Sequence, residues 1–345
     1  MDEMKARTFT EEDTMAEIPV CTKTYKLNNG VELPAVGLGT WQGTFGSSDE
    51  QAMVDSIVHA LQAGYRMIDT AQIYGVERVV GRAIGESGVP RDQITVVTKF
   101  WGYWHHDPAA ALAISLRDLG LDYVDIFLMH WPQAMTPLPD AAVLPPTASP
   151  TITQTWRRME ALVGPRCRAI GVSNFTQRTL GQLLDSHVAV VPAVNQVELH
   201  ALCPNLRLLP YCQQHGIQVV SWSTLGGPAR SDGPANPMLQ HALFTDIAAA
   251  HNISPAAVSL SWAVQRGAAV IPKSASTRRI DANIRLVTLS DAEMATINSA
   301  HETLGLMRLS DRSISLGVVV DGKRTLLGWT NVEMGWQDEE GNWLT

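Results

Sequence analysis

Cysteine is scarce in this chain, and its four cysteines stand far apart: Cys21, Cys167, Cys203 and Cys212. No C-x-x-C pair or zinc-ligand spacing is present, which excludes the common cysteine-based metal and redox motifs and predicts buried free thiols. Long apolar runs are also missing, so we expect no membrane span. Residues 1–17 are polar and acidic and lack the apolar core of a signal peptide. These absences predict a cytoplasmic protein in which residues 1–20 form a flexible extension.

An excess of positive charge is absent too. The formal net charge is −8, with acids and bases interspersed, which argues against nucleic acid or an anionic membrane as the main partner. Gly37, Gly39 and Gly43 are spaced one residue too widely for the G-x-G-x-x-G fingerprint, which weighs against a doubly wound dinucleotide-binding fold. His105 and His106 lack a convergent carboxylate or cysteine pattern, so we interpret them as loop residues and expect no metal site.

The chain does contain a regular alternation of strand and helix patterns. A hairpin is predicted over Tyr25–Leu33, with Asn29-Gly30 suited to a type I′ turn. Helical patterns include Asp49–Ala63 and segments that begin at Asp107-Pro108, Ser254-Pro255 and Ser290. Eight apolar segments have the length of buried strands: residues 35–38, 66–69, 94–99, 123–130, 167–172, 193–197, 217–222 and 269–272.

Eight strands that alternate with helices favour a parallel sheet, because parallel strands need crossover connections. The simplest α/β architecture for that count is a (β/α)8 TIM barrel. We therefore predict one barrel domain over residues 21–345, with an N-terminal β-hairpin and a long C-terminal tail from about residue 302. Two long loops, Pro137–Pro150 and Gly226–Pro237, are predicted on the rim where the strands end.

Three ionisable residues, Asp69, Lys99 and His130, each close an apolar run, at intervals of about thirty residues that match one strand-plus-helix unit. In a barrel, the ends of successive parallel strands converge on one rim. Tyr74 follows Asp69 by five residues and can join them. Singly, each residue has an ordinary explanation, such as a helix cap for Asp69 or a solvated side chain for Lys99. Their common register favours a shared proton-handling site.

These four residue types suit the reduction of a carbonyl group, which gains a hydride on carbon and a proton on oxygen. Tyr74 is the expected proton donor, but its ordinary pKa of about 10 makes it a poor donor unless the phenolate is stabilised. We expect the Lys99 ammonium to lower the pKa of Tyr74, and the Asp69 carboxylate to hold Lys99 charged. His130 is expected to hydrogen-bond the substrate oxygen and orient it.

The motifs around these residues resemble those of the aldo-keto reductase family. The likeness covers roughly Thr22 to Asn283 and rests on several motifs in order: Gly37–Trp41, Gly64–Ala71 with Tyr74, Glu77 and Gly81, Leu128–Pro132, Arg168–Phe175, Asn195-Gln196, and Ile271–Ser274 with Arg279. The resemblance implies a (β/α)8 barrel that reduces carbonyl compounds with NADPH. It also implies a catalytic tetrad of Asp69, Tyr74, Lys99 and His130, with Tyr74 as proton donor.

The same resemblance implies a set of contacts with NADPH. Ser173, Asn174 and Gln196 correspond to the residues that bind the nicotinamide carboxamide, and Lys273 with Arg279 favours the 2′-phosphate of NADP. The full implied set is Thr40, Trp41, Asp69, Ser173, Asn174, Gln196, Trp222, Ser223, Leu225, Lys273, Ser274, Arg279 and Asn283. The chain departs from the family pattern at three positions: Trp222 replaces a common tyrosine, Thr224 a common proline, and Ala282 the usual glutamate.

The substrate pocket is expected to be aromatic. Trp41, Trp101 and Trp131 follow strand ends and are predicted to line it together with Tyr74 and His130. In the family the C-terminal tail shapes substrate selectivity. The tail of this chain carries three tryptophans, Trp329, Trp336 and Trp343. The expected partner is a small carbonyl compound, and the chain is expected to be a monomer or a weak oligomer.

Two other functions fit parts of the pattern. One is a non-catalytic regulatory subunit of the same fold that binds NADPH; the complete tetrad argues against it. The other is a reductase of an enone carbon–carbon double bond, but relatives with that activity carry glutamate at the position of His130.

Overall fold

A computed structural model of the chain describes residues 18–43, 45–46, 49–227, 237–310, 316–320 and 322–344. The predicted extension over residues 1–20 therefore lies almost entirely outside the described residues. Residues 18 and 21 already contact the barrel. The Arg285 guanidinium donates a hydrogen bond to the Ile18 carbonyl oxygen, and the Cys21 amide donates one to the Ile284 carbonyl oxygen at 2.8 Å.

The predicted N-terminal hairpin is present as β1 (Thr24–Lys26) and β2 (Glu32–Pro34), which pair antiparallel. The prediction of its turn type is wrong. The Gly30 amide donates to the Leu27 carbonyl oxygen at 2.9 Å, and Gly30 has φ +86° whereas Asn29 keeps a negative φ. This geometry is a type I turn followed by a left-handed glycine, in which only one residue needs positive φ.

Eight parallel strands form the barrel wall and confirm the predicted (β/α)8 fold. They are β3 (Leu38–Gly39), β4 (Met67–Asp69), β5 (Thr95–Phe100), β6 (Val124–Met129), β7 (Cys167–Ser173), β8 (Val194–Glu198), β9 (Gln218–Trp222) and β10 (Ala269–Val270), hydrogen-bonded in chain order. A parallel bridge between Val36 and Val270 joins the last strand to the segment before the first. The sheet therefore closes on itself.

The strands are buried on both faces, which explains their nearly continuous apolar sequences. Every residue of β5 and of β6 is buried. Inside the barrel, side chains such as Met67, Val97, Ile126 and Val220 pack with Leu33 of the hairpin, which covers the end where the strands begin. The other end of the barrel is left for polar side chains.

Twelve helices precede the tail within the described residues. They are α1 (Glu50–Gln62), α2 (Glu77–Glu86), α3 (Pro108–Leu119), α4 (Ile152–Glu160), α5 (Gln177–Leu184), α6 (Leu208–Gln214), α7 (Pro237–Gln240), α8 (Ala242–His251), α9 (Pro255–Gln265), α10 (Thr277–Asn283), α11 (Asp291–Asn298) and α12 (Ala300–Leu304). The predicted N-terminal signals are used: Asp49 accepts a hydrogen bond from Ala52 at α1, and Asp107 accepts one from Ala110 at α3.

The C-terminal tail folds back over the rim as a hairpin, β11 (Gly317–Val320) and β12 (Lys323–Leu326), followed by α13 (Asn331–Met334). Trp329 is buried and its Nε1 donates to the Leu144 carbonyl oxygen at 2.9 Å. Thr176 Oγ1 donates to the Met334 carbonyl oxygen at 2.8 Å. The tail thus contacts both the long loop after β6 and the start of α5.

All four cysteines are free thiols, three of them buried and Cys21 partly so, as the sequence predicts. Within the described ranges, no helix is both long and apolar enough to span a membrane.

Candidate active site

The predicted tetrad comes together at the rim where the strands end. Asp69 ends β4, Lys99 lies near the end of β5, and His130 directly follows β6. Tyr74 ends a 3-10 turn that begins at Gln72. The Tyr74 and His130 rings lie 5.6 Å apart between centroids, edge to face. Lys99 Nζ lies 5.1 Å from the centroid of the Tyr74 ring.

Lys99 is fully buried and held as an ion pair. Its Nζ donates to Asp69 Oδ1 at 2.7 Å and to the Thr70 carbonyl oxygen at 2.8 Å. Burial lowers the pKa of Lys99, and the charge and hydrogen bond of Asp69 oppose that effect. The second carboxylate oxygen of Asp69 accepts from Gln196 Nε2 at 2.7 Å. Gln196, a predicted cofactor ligand, therefore also holds Asp69, a contact for which the sequence carries no signal.

The expected lowering of the Tyr74 pKa is not found. Burial, and then the negative charge of Asp69, raise the pKa of Tyr74 well above its ordinary value of 10.0. The physical reason is that Asp69 neutralises the Lys99 ammonium at 2.7 Å, which leaves burial as the larger effect. Tyr74 is therefore a neutral phenol at neutral pH, the form that can donate a proton.

His130 is also uncharged at neutral pH. Burial lowers its pKa well below the ordinary 6.5, and the positive charge of Lys99 acts in the same direction. Its Nδ1 is buried and has no hydrogen-bond partner in the described part of the chain. The backbone on both sides is fixed, because the His130 amide donates to the Phe100 carbonyl oxygen and its carbonyl oxygen accepts from Asn174 Nδ2 at 2.8 Å.

A second buried carboxyl group lies behind Lys99. Thr98 Oγ1 donates to Glu77 Oε1 at 2.6 Å, and burial raises the pKa of Glu77. Neighbouring residues of a strand point to opposite faces; Thr98 thus faces α2 while Lys99 faces the site. Glu77 belongs to one of the family-like motifs, but the sequence gives no sign that Thr98 is its hydrogen-bond partner. That contact depends on how α2 packs on β5.

The residues predicted to hold the nicotinamide end of the cofactor form one hydrogen-bonded network. Ser173 Oγ donates to the Gln196 carbonyl oxygen at 2.8 Å. Asn174 has φ +63°, and its Oδ1 accepts from Trp222 Nε1 at 3.1 Å. Thr40 lies beside them, since its Oγ1 donates to the Asp69 carbonyl oxygen at 2.9 Å. Amide and hydroxyl groups on adjacent strand ends suit the carboxamide of a nicotinamide, and the flat indole suits its ring.

The residues predicted to meet the phosphates lie past β10. Lys273 and Arg279 are exposed and Ser274 is buried. Arg279 Nε donates to Ser274 Oγ at 3.2 Å, and burial together with the charge of Arg279 lowers the pKa of Lys273. Because the two positive charges repel each other, an anion bound between them would be stabilising, and a phosphate group suits both. A cavity of about 160 Å³ opens between Thr40 and the Lys273–Ser274 pair.

The remaining predicted cofactor residues occupy the same rim. Ser223 follows β9 with φ +52°, and Leu225 lies two residues further on. Asn283 is buried at the end of α10.

Two of the three predicted pocket tryptophans reach the tetrad. The Trp41 ring lies 5.0 Å from that of Tyr74, and the Trp101 ring lies 5.1 Å from that of His130. Trp131 is instead 4% exposed and packs in the main hydrophobic core. His105, a loop residue as predicted, is buried beneath it and contacts the Trp131 carbonyl oxygen at 3.2 Å.

Comparison with known proteins finds relatives that align with this chain over about nine-tenths of their own length. An aldehyde reductase of Saccharomyces cerevisiae is 39% identical over 304 residues, 84% of this chain and 94% of the relative. A glycerol 2-dehydrogenase (NADP(+)) of the same yeast is 40% identical with the same coverage. A D-galacturonate reductase of Hypocrea jecorina is 39% identical, covering 79% of this chain and 89% of its own.

A solved structure shares the fold of this chain. The Bombyx mori aldo-keto reductase in complex with NADP superposes with a TM-score of 0.75 at 33% identity, covering 81% of this chain and 93% of that one. The sequence profile described as the Aldo/keto reductase family matches residues 35–302. The match covers well over half of the chain and includes all four predicted tetrad residues. The chain belongs to the aldo/keto reductase family.

Proposed function

We propose that this protein is an NADPH-dependent reductase that converts an aldehyde or a ketone to an alcohol, with Tyr74 as the proton donor. The observation that carries the proposal is the position of Tyr74, whose ring lies 5.1 Å from Nζ of the buried Lys99–Asp69 ion pair and 5.6 Å from the His130 ring. The relatives named aldehyde reductase, glycerol 2-dehydrogenase (NADP(+)) and D-galacturonate reductase support a carbonyl–alcohol couple.

NADPH, when bound, supplies the hydride for the carbonyl carbon. Tyr74 donates its phenolic proton to the carbonyl oxygen, and His130 offers a ring N–H that orients that oxygen. The Lys99 ammonium then stabilises the tyrosinate, and Asp69 keeps the ammonium aimed at it. Trp41 and Trp101 cover the reacting atoms with aromatic surface and exclude water.

The cofactor is assigned to the residues whose chemistry fits it. Ser173, Asn174 and Gln196 would hold the nicotinamide carboxamide, the Trp222 ring would stack on the nicotinamide, and Lys273 with Arg279 would neutralise the 2′-phosphate. Cytoplasmic location and a monomeric or weakly oligomeric state remain predictions from the sequence.

The test is NADPH oxidation, followed by absorbance with product identification, against matched aldehydes, ketones and enones. We expect alcohols from the first two classes and no reduction of the enone double bond. Saturated ketones formed from the enones would favour the double-bond reductase. NADPH binding without turnover of any substrate would favour the regulatory subunit. His130 supports the first outcome, because the double-bond reductases of this fold are expected to carry glutamate there.

A further inference from the structure

A cavity of about 420 Å³ lies where the C-terminal tail packs on the barrel; no tetrad residue lines it, and no step of the proposed reaction uses it. It is enclosed by the ends of β7 and β8, the first turn of α5, and the C-terminal tail. The side chains that matter for its chemistry are Asn174, Thr176, Gln177, Asn205, Arg308 and Trp336.

Arg308 is a buried cation that lines this cavity. Only 7% of it is exposed, and its guanidinium lies over the Trp336 ring at 4.7 Å from the centroid. Its Nε is buried and has no hydrogen-bond partner among the described residues. A buried cation is costly unless an anion compensates its charge. Because Nε itself is closed off, an anion in the cavity would be held by the terminal N–H groups of the guanidinium.

Glu198, a buried carboxylate that feels the charge of Arg308, is already occupied. Its Oε1 accepts from His200 Nε2 at 3.0 Å and from the Leu309 amide at 2.6 Å. Its Oε2 accepts from the Ser310 amide at 3.0 Å and from Ser310 Oγ at 2.8 Å. Burial tends to raise the pKa of Glu198, but the His200 hydrogen bond and the Arg308 charge outweigh it and keep the group ionised. Glu198 therefore moderates the charge of Arg308 without satisfying its N–H groups.

The rest of the lining selects the kind of anion. The exposed Gln177 side chain offers a neutral amide that suits hydroxyls of a ligand. Asn174, Thr176 and Asn205 already hydrogen-bond within the protein and add neutral polar surface to the lining. Asp338–Glu340 adds negative charge to the lining, two of its residues being exposed. A planar, singly charged carboxylate matches the guanidinium fork, and these acids repel it less strongly than they would a doubly charged phosphate.

We propose that this cavity binds the carboxylate of a small hydroxylated acid through Arg308. Asn174 links the cavity to the proposed catalytic site, because it lines the cavity and also donates to the His130 carbonyl oxygen at 2.8 Å. The carboxylate can therefore belong to the carbonyl substrate itself or to a separate acid bound beside it. Binding of an acid at the cavity does not depend on the proposed reaction. Only the case in which the carbonyl substrate carries the carboxylate rests on the proposed function.

The binding test uses the whole protein and two probes that carry no reducible carbonyl, sodium gluconate and neutral sorbitol. Calorimetric titration is expected to show saturable binding of gluconate and none of sorbitol. The change in total tryptophan fluorescence, compared between the wild type and Trp336→Phe, gives a second readout. Arg308→Met is expected to weaken gluconate binding by about tenfold or more. The control Arg207→Met removes an exposed arginine from the same lining and is expected to change it by less than about threefold.

Equal binding of gluconate and sorbitol, no binding of gluconate, or equal losses in the two variants would overturn the proposal. Thermal unfolding checks that Arg308→Met is folded. If it is not, Gln177→Trp blocks the cavity from the exposed first turn of α5 and is expected to abolish gluconate binding with the fold intact. Unchanged gluconate affinity in that variant would also overturn the proposal.

A kinetic arm separates the two sources of the carboxylate. D-Glucuronate and D-glucose share a reducible aldehyde and differ by a carboxylate. If the substrate supplies it, Arg308→Met lowers kcat/KM for glucuronate and leaves that for glucose unchanged. If a separate acid binds instead, Arg308→Met loses gluconate binding while its kcat/KM values for glucuronate and for glucose stay as in the wild type. Turnover of neither sugar would bear on the proposed function alone, because the titration with gluconate still decides the site.

Discussion

Tyr74 illustrates how a single residue can be identified from sequence while its ionisation cannot. Its place beside Lys99 followed from strand spacing, because the ends of parallel strands converge. The direction of its pKa shift did not follow, since it depends on how deeply the phenol is buried and on Asp69 cancelling the nearby ammonium. Neither quantity can be obtained from residue types alone.

This ionisation state predicts a flat pH profile for reduction. The pKa of His130 is lowered well below 6.5 and that of Tyr74 is raised well above 10.0. Both groups therefore keep their neutral forms between these limits, and activity falls only when His130 is protonated in acid or Tyr74 is ionised in base. Steady-state kcat/KM for an aldehyde, measured at saturating NADPH from about pH 6.5 to 9, is expected to be constant. A titration near pH 7 to 8 would show instead that Lys99 lowers the pKa of Tyr74.

At the scale of helices and strands, the sequence predicted the order and approximate bounds of the barrel strands. Their continuous apolar runs reflect burial on both faces, which depends little on detailed packing. The turn at Asn29-Gly30 was assigned wrongly, because both turn types accept glycine and only the backbone geometry separates them. The contacts of Glu198 with Leu309 and Ser310 span more than a hundred residues and have no local signature.

The packing of α2 on α3 gives a prediction that the sequence alone would reverse. Alanine usually stabilises a helix relative to glycine by about 0.5–1 kcal/mol. At Gly81, however, a Cβ would lie 1.8 Å from the Leu119 carbonyl oxygen at the end of α3. Gly81→Ala is therefore expected to lower the free energy of unfolding by about 1–3 kcal/mol, measured by urea denaturation.

Gly85 is the matched control, because it lies in the same helix and a Cβ there would meet nothing within 4 Å. Gly85→Ala is expected to leave stability unchanged or to raise it by up to about 1 kcal/mol. Destabilisation of the same size by both substitutions would mean that close approach of the two helices is not the cause.

For the whole molecule, cofactor choice is expected to be visible as a difference in stability. A ligand that binds only the folded state at 100 times its Kd stabilises it by about 2.7 kcal/mol. Lys273 and Arg279 are proposed to contact a phosphate that NADPH has and NADH lacks. At equal concentrations NADPH is therefore expected to raise Tm by more than NADH does, measured by differential scanning calorimetry.

The double variant Lys273→Met/Arg279→Met is expected to remove this difference between the two cofactors. Arg278→Met, the neighbouring arginine, is expected to preserve it. If NADPH and NADH raise Tm of the unmodified protein equally, the assignment of the 2′-phosphate to these two cations is wrong.

The central claim is that the neutral phenol of Tyr74 delivers the proton to the carbonyl oxygen. The most direct measurement is kcat for aldehyde reduction by Tyr74→Phe, together with NADPH affinity by fluorescence titration. The ring and its contacts with Trp41 and His130 are retained, so NADPH affinity is expected to stay within about twofold. Loss of a general acid is expected to lower kcat by about 10² to 10⁴. Wild-type kcat in this variant would contradict the mechanism.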